Sequence, residues 1–262
     1  MGPRGPARRA RRRHDPSHAA RHLRHRDRRR ARRVRGARLA DRPDGPHRTP
    51  AQRHAPARRP RGGAGSVSAL IGRRIVLRPL VIGDFEQWRE VRRRNHDWLT
   101  KWEPQRLPGH PDAVEDRDAF AIRCSARQRE RQLGTAYGFG IFVDGDFAGE
   151  INISSVQRGP FQSAYVGYWI DERHAGQGYV PEAVVLICRF AFEELRLHRI
   201  QISIIPRNDK SRRVVEKLDL RFEGIAERYL EINGAWEDHM RFAITAEEWA
   251  TRGDQLSRDW LD

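Results

Sequence analysis

Residues 137–156, YGFGIFVDGDFAGEINISSV, constrain the fold more tightly than any other stretch of the chain. Two apolar, β-prone runs flank Asp144-Gly145-Asp146. An Asp-Gly pair in that setting is a strong hairpin signal, because both central residues of a tight hairpin turn need positive φ. The spacing predicts two antiparallel strands, with a third over about 162–170 completing a meander. In GEINIS, Glu150, Asn152 and Ser154 alternate with Ile151 and Ile153, which predicts one solvated face for the second strand.

Downstream the pattern changes to strand–helix–strand. Residues 181–197 read as an amphipathic helix with Val184, Ile187, Cys188, Ala191 and Leu195 on one side. A strand at 199–205, a helix at 208–218 and a second hairpin, 222–232 with 235–244 about Asn233-Gly234, follow. On that hairpin Tyr229 and Trp236 are placed to pack together, or for either to line a peptide entrance. Upstream, 74–77 is a strand closed by Pro79. Asp84 can cap a helix that carries Phe85, Trp88 and Val91 and then Trp98–Leu99, with Arg92–Arg94 on its wet side. Residues 112–132 form another helix, with Val114, Ala119, Ile122 and Ala126 as its apolar side. A meander followed by strand–helix–strand implies an α/β domain, a mixed sheet with helices on its faces.

Composition says where that domain can begin. Residues 1–65 hold 22 Arg, 4 Asp, no Lys and no Phe, Trp, Tyr or Ile, a net charge of +18 that leaves −2 for the rest of the chain. So little apolar surface cannot offset the entropy of ordering the segment, so 1–65 is expected to be disordered and 66–262 to fold. Two readings of the segment stay open: a translation start placed too far upstream, with Val67 as the true one, or a polyarginine arm that contacts RNA. It lacks the apolar stretch of a secretory signal, and no run of about 18 apolar residues occurs, so a cytoplasmic protein without a membrane span is expected. Cys124 and Cys188 fall in helical patterns far apart and suggest core thiols, with neither a disulfide framework nor a metal site.

The segment RHAGQGYVPEA, 173–183, carries the chemistry. N–H groups at a helix start lack intrahelical partners and sit at the positive end of the helix dipole, so glycines just before it let an anion approach the main chain. The turn is no triphosphate loop, since Gly-Lys-Ser/Thr is missing, and no dinucleotide fingerprint, since the third glycine falls at Pro181. With its neighbours, the LHRI strand, Pro-x-Asn-x-x-Ser at 206–211 and Tyr-Leu-x-Ile-x-Gly-x-Trp-x-Asp-His at 229–239, it resembles the GNAT family of acetyl-CoA-dependent N-acetyltransferases. Within that family the chain is most similar to the RimJ/RimL group, which acetylates ribosomal-protein N-termini.

The resemblance implies a central, mostly antiparallel sheet, splayed at the cofactor strand, with helices on both faces. It implies that Arg173, His174, Ala175, Gly176, Gln177, Gly178 and Tyr179 wrap the acetyl-CoA pyrophosphate. It also implies that Tyr168, Trp169 and Ile170 end a strand that parts from its neighbour to take the pantetheine arm. Asn208 matches a position that caps the next helix and contacts that arm, and Ser211 one that serves as general acid to the departing thiolate. The group's catalytic Glu falls on Leu230 here, leaving Glu231, Glu227 and the more distant Glu150 as candidate bases. The expected acceptor is a protein N-terminal amine, that of a ribosomal protein beginning with Ala or Ser, by direct attack in a ternary complex. Two other acceptors or partners compete: a small-molecule amine such as an aminoglycoside, and RNA bound through 1–65. A monomer and a homodimer are both compatible with the sequence.

Overall fold

The computed structural model describes Gly2 and residues 69–262 apart from residue 108. The readings made for residues 1–65 lie outside the described residues. The sheet has eight strands: β1 (Leu70–Ile71), β2 (Ile75–Arg78), β3 (Tyr137–Val143), β4 (Asp146–Gln157), β5 (Ser163–Ile170), β6 (Arg199–Ile204), β7 (Arg221–Ile232) and β8 (Ala235–Thr245). Their order across the sheet is β1-β2-β3-β4-β5-β6-β8-β7. The 137–156 hairpin forms as expected, with Asp144 at φ 51° and Gly145 at φ 92°. Every neighbouring pair is antiparallel except β5 and β6. Those two pair in parallel only at Ser163↔Arg199, Ala164↔Ile200 and Tyr165↔Gln201, and then part. Beyond Tyr165, β5 keeps its β4 partner as far as Ile170 and has no strand among the described residues on its other side.

Among the described residues six α-helices cover the sheet: α1 (Phe85–Arg94), α2 (His96–Leu99), α3 (Arg117–Leu133), α4 (Tyr179–Arg189), α5 (Asp209–Lys217) and α6 (Ala246–Trp260). Two cores result. The larger one gathers α4 (Val184, Ile187), β3–β6 and α6 (Trp249, Leu256). The smaller one, Phe85, Trp88, Val91, Phe120, Phe142 and Phe147, lies under α1 and α3. Phe139 and Ile141 of β3 belong to the first core and Phe142 to the second, so the two cores flank the sheet and helices lie on both faces.

Several local expectations are corrected. GEINIS has no solvated face at Glu150: α1 and α3 cover it, and Glu150 is 3% exposed. Helix α3 starts at Arg117 behind an Asp116 cap rather than at residue 112, and it packs inward through Phe120 rather than through the expected side, leaving Ile122 68% exposed and Ala126 exposed. The Arg92–Arg94 run is no idle wet face: Arg92 forks onto Glu103 at 2.7 Å, Arg93 pairs with Glu115, and Arg94 reaches the buried Asp171. Asp84 precedes α1 but spends its carboxylate on Arg78 (2.7 and 2.8 Å) and the Val81 N–H (2.8 Å). Tyr229 packs on His239, and Trp236 stands 63% exposed, because the β7–β8 register shifts between Ala226 and Leu230. The 181–197 helix begins earlier, at Tyr179, and ends in one π turn, Phe190–Glu194. Helix α6, capped by Thr245 and Glu248 in a capping box, was not foreseen. Cys188 is buried in α4, and burial pushes its thiol up to about 12; Cys124 is partly buried in α3.

Candidate active site

The glycine turn sits where β5 ends and α4 begins. A short 3-10 turn, Glu172–His174, leads into Ala175, Gly176 at φ +80°, Gln177, and Gly178 at φ +89°, which occupies the N-cap of α4. Both glycines adopt the left-handed region that L side chains rarely tolerate. A Cβ at Gly176 would meet open space, so conformation and clearance for a ligand, rather than packing, favour glycine there. No acceptor among the described residues takes the N–H groups of Gly176, Gln177 or Gly178. Together with the α4 dipole they form an anion seat.

Two clamps hold this turn. Glu182, fully buried in the first turn of α4, accepts from the Arg74 N–H (2.7 Å) and Nε (2.9 Å), and Arg74 Nη1 donates to the Gln177 carbonyl at 2.9 Å. The Arg74 guanidinium also lies 4.8 Å from the centre of the Tyr179 ring. On the other side, Asp171, 0% exposed, accepts from Arg94 Nη2 (2.5 Å), Asn95 Nδ2 (2.8 Å) and the Arg173 N–H (3.3 Å). Asn95 Oδ1 accepts from the Glu172 N–H at 2.9 Å. Burial works to raise the Asp171 pKa, but Arg94, Asn95 and the Arg173 N–H outweigh it and leave the carboxyl below its ordinary range. These clamps tie the turn to β2 and to the end of α1. The sequence carried no signal for either, since each joins residues about 76 or more positions apart.

Where β5 and β6 part, a cleft of about 850 Å³ opens. Tyr168, Trp169 and Ile170 line one wall, α5 residues from Asn208 to Lys217 another, and His174, Ala175, Gly176, Gly178 and Tyr179 border its end. Asn208 caps α5 through Oδ1, which accepts from the Ser211 N–H at 3.1 Å. Ser211 Oγ donates to Tyr168 Oη at 3.0 Å, and that phenol reaches the Ser211 carbonyl at 3.3 Å. Burial pushes the Tyr168 phenol well above its usual pKa, against the opposing effect of the Ser211 hydrogen bond. A smaller cavity of about 360 Å³ adjoins the turn and is lined by Arg73, Lys217 and Trp260 among others.

The expected site residues thus divide. Tyr168, Trp169, Ile170, His174–Gly176, Gly178, Tyr179, Asn208 and Ser211 meet around the large cleft, with Gln177 on the smaller cavity and Arg173 exposed beside the turn. The candidate bases do not join them. Glu150 borders neither cavity, and its oxygens are taken by Trp88 Nε1 (2.7 Å) and Arg123 Nη2 (2.5 Å). Glu231 is exposed on β7 opposite Trp236, and Glu227 is exposed on the same strand. The cleft also has a wall that sequence reasoning did not assign to it: Trp98, Lys101, Trp102 and Glu103, with Trp98 Nε1 donating to the Ile170 carbonyl at 3.1 Å.

An anion seat continuous with an unpaired strand edge fits a ligand with phosphates at one end and an amide-bearing arm at the other. Among the described residues no group of three His, Cys, Asp or Glu side chains could hold a metal, and no helix is long and apolar enough to cross a membrane.

Comparison with known proteins agrees with this geometry. Residues 74–221 match the model of the acetyltransferase (GNAT) domain. A probable N-acetyltransferase of Bacillus subtilis (strain 168) is 36% identical over 177 residues, 67% of this chain and 96% of that protein. The [ribosomal protein uS5]-alanine N-acetyltransferase of Escherichia coli (strain K12) is 31% identical over 180 residues, 67% of this chain and 90% of the relative. The solved structure of Mycobacterium smegmatis RimJ in complex with CoA-disulfide is similar at a TM-score of 0.68 and 31% identity, covering 75% of this chain and 95% of that one. With its turn, its parted strands and these likenesses, the chain belongs to the GNAT family of acetyl-CoA-dependent acetyltransferases.

Proposed function

We propose that the protein acetylates the N-terminal α-amine of a protein, a ribosomal protein beginning with Ala or Ser. The observation that carries this reading is the nearly full-length similarity to the uS5-alanine enzyme, 90% of which aligns here. Residues 173–179 seat the pyrophosphate of acetyl-CoA, and the β5 edge at Tyr168–Ile170 pairs with the pantetheine amides. Ser211 then faces the thioester sulfur.

The acceptor amine attacks the thioester carbonyl directly, the C–S bond breaks, and Ser211 Oγ supplies the proton that leaves CoA as a thiol. Tyr168 Oη, 3.0 Å from Ser211 Oγ, holds the serine hydroxyl in place, burial keeps the phenol protonated, and solvent returns a proton to Ser211. The amine sheds its own proton to solvent. An α-amine spares about 3.5 kcal/mol of deprotonation relative to a lysine side chain, from the pKa difference of about 2.5 units. That saving suits a cleft in which Glu150, Glu227 and Glu231 stand apart from the parted strands.

An acceptor screen read by thiol release tests the proposal. Peptides with free N-terminal Ala or Ser should turn over, and the same peptides capped at the N-terminus should not. Turnover confined to aminoglycosides or other small amines would replace this reading by the small-molecule one.

A further inference from the structure

The chain contains 48 Arg but only three Lys, at 101, 210 and 217, and all three line the large cleft. Arginines make nearly all the ion pairs among the described residues, with two made by histidine and none by lysine. The division has a physical sense. A guanidinium fork suits fixed, bidentate framework pairs such as Arg92–Glu103, whereas an ammonium on a flexible stem offers a point charge to a ligand.

The three lysines fall at two ends. Lys217, at the last turn of α5, also lines the small cavity beside Gly176 and Gly178, next to the anion seat. Lys101 and Lys210 meet elsewhere, on one indole: their Nζ atoms lie 5.5 and 4.0 Å from the centre of the Trp98 ring. Trp98 is itself fixed by its bond to the Ile170 carbonyl, and Lys101 also lies 5.5 Å from Trp102. Two ammonium groups gathered on one ring repel each other, and a carboxylate between them would relieve this.

Lys101 enters the cleft from the side away from the glycine turn, while Lys210, on α5, comes from the face that α4 shares. The glycine turn opens α4, which packs in the larger core, whereas Lys101 follows directly from α1 and α2, and α1 covers the opposite face of the sheet. Lys210 and Ser211 are consecutive in the first turn of α5, and both line the cleft.

Resting on the N-terminal reading above, we infer that Lys101 and Lys210 select an acceptor peptide that carries Asp or Glu within its first few residues. The test measures kcat/KM for free-amine peptides beginning with Ala that differ only in Glu, Gln or Lys at positions two to four. It uses the full chain and its Lys101→Gln, Lys210→Gln and double variants, with KM for acetyl-CoA measured in parallel. The full chain should favour the Glu peptide over the Gln peptide by about fivefold, the size expected for an exposed pair of charges. The preference should shrink with added salt and vanish in the double variant, with KM for acetyl-CoA held; Lys101→Glu should favour the Lys peptide. Equal use of Glu and Gln peptides by the full chain overturns the inference and leaves the N-terminal reading standing. A rise in KM for acetyl-CoA with peptide preference intact also overturns it and assigns the lysines to the donor's phosphates. Failure of every free-amine peptide overturns both.

Discussion

At the scale of single residues, the account rests on Gly176 and Ser211. A Cβ at Gly176 meets nothing, so Gly176→Glu should lower the melting temperature of the free protein only by the cost of a left-handed side chain, about 1–2 kcal/mol. It places a carboxylate in the anion seat, however. CoA at 100 times its Kd should stabilise the native protein by about 2.7 kcal/mol, and a thermal-shift assay should show that gain lost in the variant. Ser211→Ala should lower kcat by about 100-fold while KM for acetyl-CoA stays within about twofold, which steady-state kinetics checks. Because burial raises the Tyr168 phenol, the native rate should show no alkaline limb from that group below about pH 10. The glycine turn is legible from local spacing, whereas the β5 end and the α5 start enter through the family resemblance; the structure brings all three around one cleft. Glu150 was misread because alternation along a strand cannot reveal that α1 and α3 cover the polar face and that Trp88 and Arg123 take up its carboxylate.

At the scale of elements, the parting of β5 from β6 needs its flanking turn held in place, and Asp171 is the buried point where α1 grips it. The Asp171 carboxyl is held below its ordinary pKa, so its contribution to stability is complete above the unfolded value near 4 and is lost as pH falls through the lower folded value. Asp171→Asn should cost about 3 kcal/mol near pH 7, as expected when one partner of a buried pair is removed. It should also flatten the acid limb of the melting temperature below about pH 4; an unchanged limb would remove Asp171 from that role. The strands and α4 could be drawn from periodicity to within a few residues, since alternation and 3.6-residue spacing are local. The clamps could not: Arg74–Glu182 and Asn95–Asp171 join distant positions, and Arg92–Arg94 look like a wet helix face until Glu103, Glu115 and Asp171 arrive from elsewhere. Helix α6 is absent from the sequence reading although Thr245-x-x-Glu248 is a readable capping box, because only Trp249 and Leu256 supply large buried side chains in an otherwise polar run. Ile122 shows the opposite error, an apolar residue at helical spacing that faces outward because α3 packs through Phe120 instead.

At the scale of the whole molecule, charge and catalysis are expected to separate along the chain. Residues 1–65 carry +18 and the remainder −2, so deleting them should leave CoA-induced stabilisation and acetyl transfer intact. The same deletion should remove any salt-dependent RNA affinity, which binding measured across a salt series would check. The acceptor is where fold says least: parted strands and an anion seat suit the donor, while Trp98, Lys101, Trp102 and Lys210 line the cleft by which the proposed reading brings in the amine. The central claim is tested most directly by incubating the protein with acetyl-CoA and a peptide that begins with Ala and contains an internal lysine, then locating the product by tandem mass spectrometry. The account predicts a single acetyl group on the α-amine; an acetyl group on the lysine side chain, or none on the peptide while a small amine is acetylated, would contradict it.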